Sequence, residues 1–241
     1  MKKAVIIILM FMITVNLCAC GGGTPHQKMT EPAVSAEPAP PATESVPTET
    51  APPEPEETEA AVITPEDDEL VRITDYVPTI FVDLKYATSD NFTGVVIYDF
   101  TEPYLRYGTV KKLAEAQDKL SEQDCSLKIW DAYRPTNAQF NLWEVCPDPA
   151  YVADPNTGFS NHSRGNTVDV TLVLSNGDKI EMPTGFDDFS MLADRDYSDV
   201  PDAARENVAI LENAMSSCGF DCYFGEWWHY SDATSYPVVE N

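Results

Sequence analysis

The stretch Ser160-Asn161-His162-Ser163-Arg164-Gly165-Asn166-Thr167-Val168-Asp169-Val170-Thr171-Leu172-Val173-Leu174 sets the reading of this chain. From Val168 to Leu174 the residues are β-branched or apolar, which is strand material. One residue breaks that pattern. Aspartate is poor in strands, so Asp169 implies a purpose at that place. Its neighbours Val168 and Val170 point to the opposite face of the strand. Gly165 allows the preceding loop to fold back, so that His162 can approach Asp169. A polar loop feeding an apolar strand thus reads as half of a site built on a sheet.

The other half is Glu226-Trp227-Trp228-His229 near the C-terminus. The sequence has three histidines. His26 lies in a proline-rich segment and is read as idle, which leaves His162 and His229. Imidazole nitrogen and carboxylate oxygen are the usual protein ligands of Zn²⁺. His162, Asp169 and His229 would hold one zinc per chain through two nitrogens and one oxygen. A fourth position would stay open to water, which marks a catalytic rather than a structural site. Glu226 precedes His229 by three positions, and in an ideal strand the two would face opposite sides. If both serve one metal, a bulge or turn must lie between them. Glu226 would then act as general base and pass its proton to the leaving amine. Asp131-Ala132-Tyr133-Arg134-Pro135 closes another expected strand and offers Arg134 to stabilise an oxyanion. Taken singly, each element has a plainer use: histidine in packing, Asp169 in a turn or ion pair, Arg134 paired with Asp131, Glu226 in solvent, the Trp pair in the core. The His-Glu-x-x-His zinc signature is absent.

Around these residues the pattern predicts strands at 79–86 (Ile80, Val82 and Leu84 on one face), 95–98, 127–133, 168–174 and 223–230. It predicts helices at 109–120, with Gln117 interrupting the apolar stripe, at 136–145, and at 201–217 with Gly219 as the stop. The mixed order implies an α+β fold, with helices packed on a largely antiparallel sheet and the zinc site on that sheet.

The N-terminal part is different. Lys2 and Lys3 precede an apolar run from Ala4 to Val15, too short for a span of about 20 residues but fitting a secretory signal. Leu17-Cys18-Ala19-Cys20 follows and resembles a bacterial lipobox. The resemblance implies cleavage after residue 19 and a lipid on Cys20, so that residues 1–20 act as a lipoprotein signal and the protein is anchored outside the cytoplasm without spanning the membrane. Residues 21–68 are rich in proline and acid and poor in large apolar groups, and read as a disordered tether. Residues 69–241 hold all four tryptophans and form one domain of ordinary size. The whole chain carries a net charge of −25. That excludes a nucleic-acid binder, which needs a Lys/Arg surface, and argues against adhesion to anionic lipid.

Ser-x-His-x-x-Gly-x-x-x-Asp from Ser160, followed by Glu-x-Trp-His from Glu226, resembles the M15 family of zinc D,D-peptidases. The nearer likeness is to its D-alanyl-D-alanine dipeptidase branch, the vancomycin-resistance type. Asp83-Leu84-Lys85-Tyr86-Ala87-Thr88, Asn91-Phe92-Thr93-Gly94, Trp130 through Pro135, and Met182 with Phe186-Asp187 support it in family order. The resemblance implies zinc on His162, Asp169 and His229, Glu226 as base and acid, and Arg134 on the tetrahedral intermediate. It also implies Ser160 lining the substrate pocket and Asp187 receiving the substrate ammonium. Two departures stand out: Pro183 follows Met182 where glycine is expected, and the lipid anchor contrasts with a family type that acts in the cytoplasm. Two substrates follow, the free D-Ala-D-Ala dipeptide or, as an alternative, the terminal D-Ala of peptidoglycan stem peptides. A silent wall-binding lipoprotein is disfavoured because all four of His162, Asp169, His229 and Glu226 are present. Cys125, Cys146, Cys218 and Cys222 allow three pairings; an oxidising compartment favours disulfides, with free thiols as the alternative.

Overall fold

The structure, a computed structural model, describes residues 64–240. Cys20, the signal and the tether up to residue 63 lie outside the described residues. In chain order the elements are β1 (Leu70–Arg72), α1 (Ile73–Tyr76), β2 (Phe81–Val82), β3 (Tyr104–Arg106), α2 (Tyr107–Ser121), β4 (Cys125–Asp131), α3 (Thr136–Val145), β5 (Thr167–Leu174), α4 (Asp202–Ser217), β6 (Phe220–Cys222) and β7 (His229–Asp232). Five strands form one sheet in the order β2-β4-β5-β7-β6, parallel only between β2 and β4. The fold is α+β with a largely antiparallel sheet, as expected.

The strand β5 is central, and its residues alternate between two different environments. Val168, Val170 and Leu172 join Leu127 and Ile129 of β4, Leu113 and Leu120 of α2, and Val208, Leu211 and Met215 of α4 in one core cluster. All of these are at most 1% exposed, and each large side chain so buried contributes about 1.5–3 kcal/mol. Gln117, which seemed to interrupt the α2 stripe, is buried in it. Its Oε1 accepts a hydrogen bond from the Leu127 backbone N–H at 2.9 Å, and its Nε2 donates to Ser126 Oγ at 3.0 Å. A buried amide is tolerated there because its donors and acceptor are used. Gly219 ends the α4 turn with φ of 88°, the left-handed conformation that glycine takes without penalty.

The other face of β5 presents Thr167, Asp169 and Thr171. Here β4 contains an irregularity. Ile129 pairs with Val170, but Asp131 pairs with Asp169, so two residues of β4 oppose one of β5. This β-bulge turns Asp131 toward Asp169, the re-aiming typical of bulges beside functional sites.

Three strand expectations are corrected. Pairing in 79–86 is limited to Phe81–Val82, because Lys85–Ala87 winds into a 3₁₀ turn. Ile80 and Leu84 are buried but Val82 is exposed on this edge strand. No strand forms at 95–98. Asn91 Nδ2 donates to the Thr88 and Val95 carbonyls, both at 2.8 Å, and thereby holds the segment in a loop. The segment 223–230 is a turn leading from β6 into β7 rather than one strand. The folded unit also takes in residues just before 69. Arg106 donates to the Asp68 carbonyl, and Lys111 pairs with Asp67 at 2.6 Å. Finally, the four cysteines are free thiols instead of disulfides. Cys146 packs on a smaller apolar cluster apart from the main core that holds Cys125 and Cys218.

Candidate active site

His162 sits in a 3₁₀ turn, Asn161–Arg164, that leads into β5. Ser160 starts this turn and its Oγ accepts from the His162 backbone N–H at 3.3 Å. Gly165 closes it with φ of 73°. Glycine is required twice over at that point, because a Cβ would come within 2.7 Å of the Leu70 side chain. Asp169 on β5 is the direct cross-strand partner of His229 on β7. Glu226 and His229 are linked by a turn, with the His229 N–H donating to the Glu226 carbonyl at 3.3 Å. That turn lets positions three apart face the same side, as a shared site demands.

The donor atoms of His162, Asp169 and His229 all lie within 4.8 Å of one another. His162 Nδ1 is 2.8 Å from the Ala132 carbonyl, so its Nε2 is left for Asp169, 3.3 Å from Oδ2. A ring held in this way through its other nitrogen is typical of a metal-binding histidine. His229 Nδ1 stands 3.0 Å from Asp169 Oδ1 and 3.5 Å from Glu226 Oε2. Asp169 Oδ1 is buried yet accepts no hydrogen bond. A buried carboxylate with one oxygen unsatisfied, set between two imidazole nitrogens that face one oxygen each, is costly alone. It fits a divalent cation held by two nitrogens and one oxygen, so the donor set suits a metal. For Asp169, burial favours the acid form, but His162 and His229 outweigh it and hold the carboxyl well below its ordinary range. For Glu226, burial and the nearby Asp169 raise the pKa, with His229 opposing. Two carboxylates at one site are thus driven apart.

Arg134 is buried and fixed on three sides. It donates to Asp131 Oδ2 at 2.6 Å, to Gln139 Oε1 at 3.0 Å and to the Tyr98 hydroxyl at 3.3 Å, while its guanidinium stacks 5.1 Å from the Tyr86 ring centre. Asp187, with φ of 53°, accepts from the Tyr86 hydroxyl at 2.8 Å. Burial pushes its carboxyl up to about 8. One cavity of about 390 Å³ is lined by Ser160, His162, Asp169, His229, Glu226, Arg134 and Asp187 together. Every site residue expected from the sequence in the described part is therefore gathered in one place.

The D-Ala-D-Ala dipeptidase family of M15 peptidases matches residues 66–238. The chain belongs to this family. It is a peptidase, and so a hydrolase. Among its relatives, the D-alanyl-D-alanine dipeptidase of Escherichia coli strain K12 is 39% identical over 173 residues, which is 71% of this chain and 89% of the relative. The protein of the same name from Streptomyces coelicolor is 34% identical over 180 residues, covering 66% of this chain and 89% of its own. That from Enterococcus faecalis strain V583 is 33% identical over 168 residues, covering 61% and 83%.

Some working parts of this M15 peptidase went unread in the sequence. Tyr98 and Gln139 hold Arg134, and neither stands in a telling motif. Arg195 is the clearest case. Its guanidinium donates to the carbonyls of Tyr223, Glu226 and His229 at 2.8, 3.1 and 3.0 Å and to Glu212 of α4 at 3.2 Å. It thereby ties the turn carrying Glu226 and His229 to a core helix. The only signal was the presence of one arginine in the acidic stretch from Asp187 to Asp202.

Proposed function

We propose that the chain hydrolyses the D-Ala-D-Ala dipeptide with one zinc held by His162, Asp169 and His229. The names of its relatives support the substrate, and the two-nitrogen, one-oxygen donor set supports zinc. The observation that carries the dipeptide reading is the position of Asp187. Its carboxyl lines the same cavity as Arg134 and Glu226, under a hydroxyl from Tyr86. It caps the end where a free amino group would lie, which a longer peptide does not offer. An arriving ammonium would favour the ionised carboxylate and draw the raised pKa back down.

When bound, zinc would supply Lewis acidity and lower the pKa of an attacking water. Glu226 takes that proton, its half-buried carboxyl raised above the ordinary carboxylate range by desolvation, and returns it to the leaving amine. Arg134, kept rigid by Asp131, Gln139 and Tyr98, presents a fixed cation to the negative charge that develops on the scissile carbonyl oxygen. Ser160 orients substrate at the mouth of the turn that carries His162. The lipobox reading places this activity outside the cytoplasm on a lipid anchor at Cys20, testable by lipid labelling that disappears in Cys20→Ala.

The test combines metal analysis with an amine-release assay on the full chain, giving D-Ala-D-Ala and a stem pentapeptide side by side. One zinc per chain with cleavage of the dipeptide alone is expected. Preference for the pentapeptide would make the enzyme a D,D-carboxypeptidase, and full turnover without metal would overturn the zinc reading.

A further inference from the structure

Glu226 and His229 come from the turn between β6 and β7, and the backbone of that turn is held loosely by its own bonds. The N–H groups of Tyr223, Glu226 and His229 donate to the carbonyls of His229, Tyr223 and Glu226 at 3.4, 3.3 and 3.3 Å. All three exceed the range of about 2.7–3.2 Å of an ordinary N–H···O bond. The shorter bonds come from a segment distant in sequence. The Arg195 side chain donates to the same carbonyls of Tyr223, Glu226 and His229 at 2.8, 3.1 and 3.0 Å. Its backbone N–H donates to the Phe224 carbonyl, and the Ala193 carbonyl accepts from the Trp227 N–H, both at 3.0 Å. Residues 193–195 therefore cradle the turn along its length.

Arg195 is itself firmly seated. Its side chain is 6% exposed and meets Glu212 of α4 at 3.2 Å, and the Tyr197 hydroxyl donates to the same Glu212 oxygen at 3.1 Å. The guanidinium lies 4.7 Å from the Tyr230 ring centre. A planar fork of several donors can hold three carbonyls at once, which a single ammonium cannot do with the same geometry.

The residues of the turn do not depend on this cradle equally. His229 is already registered by its pairing with Asp169 across β5 and β7, and Trp227 and Trp228 are anchored in the core. Glu226 has neither support. It lies outside every strand and its side chain is half-buried.

We propose that Arg195 is a positioning residue that sets where the Glu226 carboxyl stands, acting through the backbone of the turn with α4 as its anchor. The inference rests on the reading of Glu226 as general base. A base must stand within hydrogen-bond reach of the proton it takes, and a displacement of about 1 Å can cost about 10²-fold in rate.

The test is a double-mutant cycle in the full chain, with D-Ala-D-Ala as substrate and Arg195→Lys and Glu226→Gln as the two changes. Arg195→Lys keeps the charge and loses the fork. Alone, it should lower kcat about 10–100-fold with KM little changed. In the Glu226→Gln background it should lower the residual turnover no further, because the group it positions is gone. Amide hydrogen exchange on the metal-free protein gives a readout without turnover: residues 223–227 should exchange faster in Arg195→Lys while α4 keeps its protection. If Arg195→Lys does not fold, Glu212→Gln carries the same cycle with a smaller loss, since it leaves the guanidinium in place and weakens its anchor. Wild-type kcat in Arg195→Lys, an equal fractional loss in both backgrounds, or faster exchange throughout the domain overturns the proposal. Wild-type turnover in Glu226→Gln alone removes the base reading and the proposal with it, so the two failures are told apart.

Discussion

The two faces of the central sheet solve opposite problems. Toward α2 and α4, Val168, Val170 and Leu172 bury hydrocarbon against hydrocarbon, and the contacts are non-directional. On the other face, Asp169 is buried beside two histidines, and Asp131 is buried beside Arg134 and Tyr98. There each charge stays inside only because a specific partner meets it at hydrogen-bond distance. The first face tolerates changes of shape at a graded energetic cost. The second works through single atoms, so removing one partner should strike function and also cost stability by stranding the charge left behind.

That contrast can be broken at several points. The largest effect should come from Glu226→Gln, which keeps size and hydrogen bonding but removes the base. Turnover should fall by about 10²–10⁴-fold, with metal content unchanged by elemental analysis. Near wild-type turnover would remove Glu226 from its role. Arg134→Ala should lower kcat by about 10²–10³-fold, as for loss of an oxyanion donor. Its effect should fall on kcat more than on KM in steady-state assays.

On the opposite face, Leu211→Ala should cost about 2–5 kcal/mol of stability in urea unfolding. The folded fraction should still hydrolyse substrate at the wild-type rate. If kcat fell with it, the two faces would be more tightly coupled than their contacts indicate.

The smallest effect concerns pH. The Asp187 carboxyl is raised to about 8 in the folded chain, above its unfolded value. The folded form therefore holds a proton that the unfolded chain has released, and this contribution to stability is lost as pH rises from about 4 toward 8. Asp187→Asn removes that dependence and keeps a side chain that accepts positive φ. With metal removed by chelation, the urea midpoint of the variant relative to wild type should climb across that window. A constant difference would contradict the burial of this carboxyl.

The legibility of the two faces in the sequence differs in the same way. The helices at 107–121, 136–145 and 202–217 and the strand at 167–174 could be read because apolar periodicity records burial directly. The site could be read because His162, Asp169, Glu226 and His229 come in two tight motifs. What escaped was structure set by single side chains. Asn91 holds 95–98 in a loop despite its β-branched residues, and the 223–230 stretch turns between two short strands under the grip of Arg195. Gln117 looked like an interruption because a lone polar residue in an apolar stripe does not announce its partner. Such features depend on partners distant in sequence, and no local pattern carries them.

The bulge at Trp130 and Asp131 has one more consequence. It makes residue count in β4 a chemical variable. Deleting Trp130 would restore even pairing at the expense of one core side chain. It would also shift by one step the aspartate that clamps Arg134 and the carbonyl that orients His162. A strand one residue shorter should therefore lose more activity than the missing core contact alone explains.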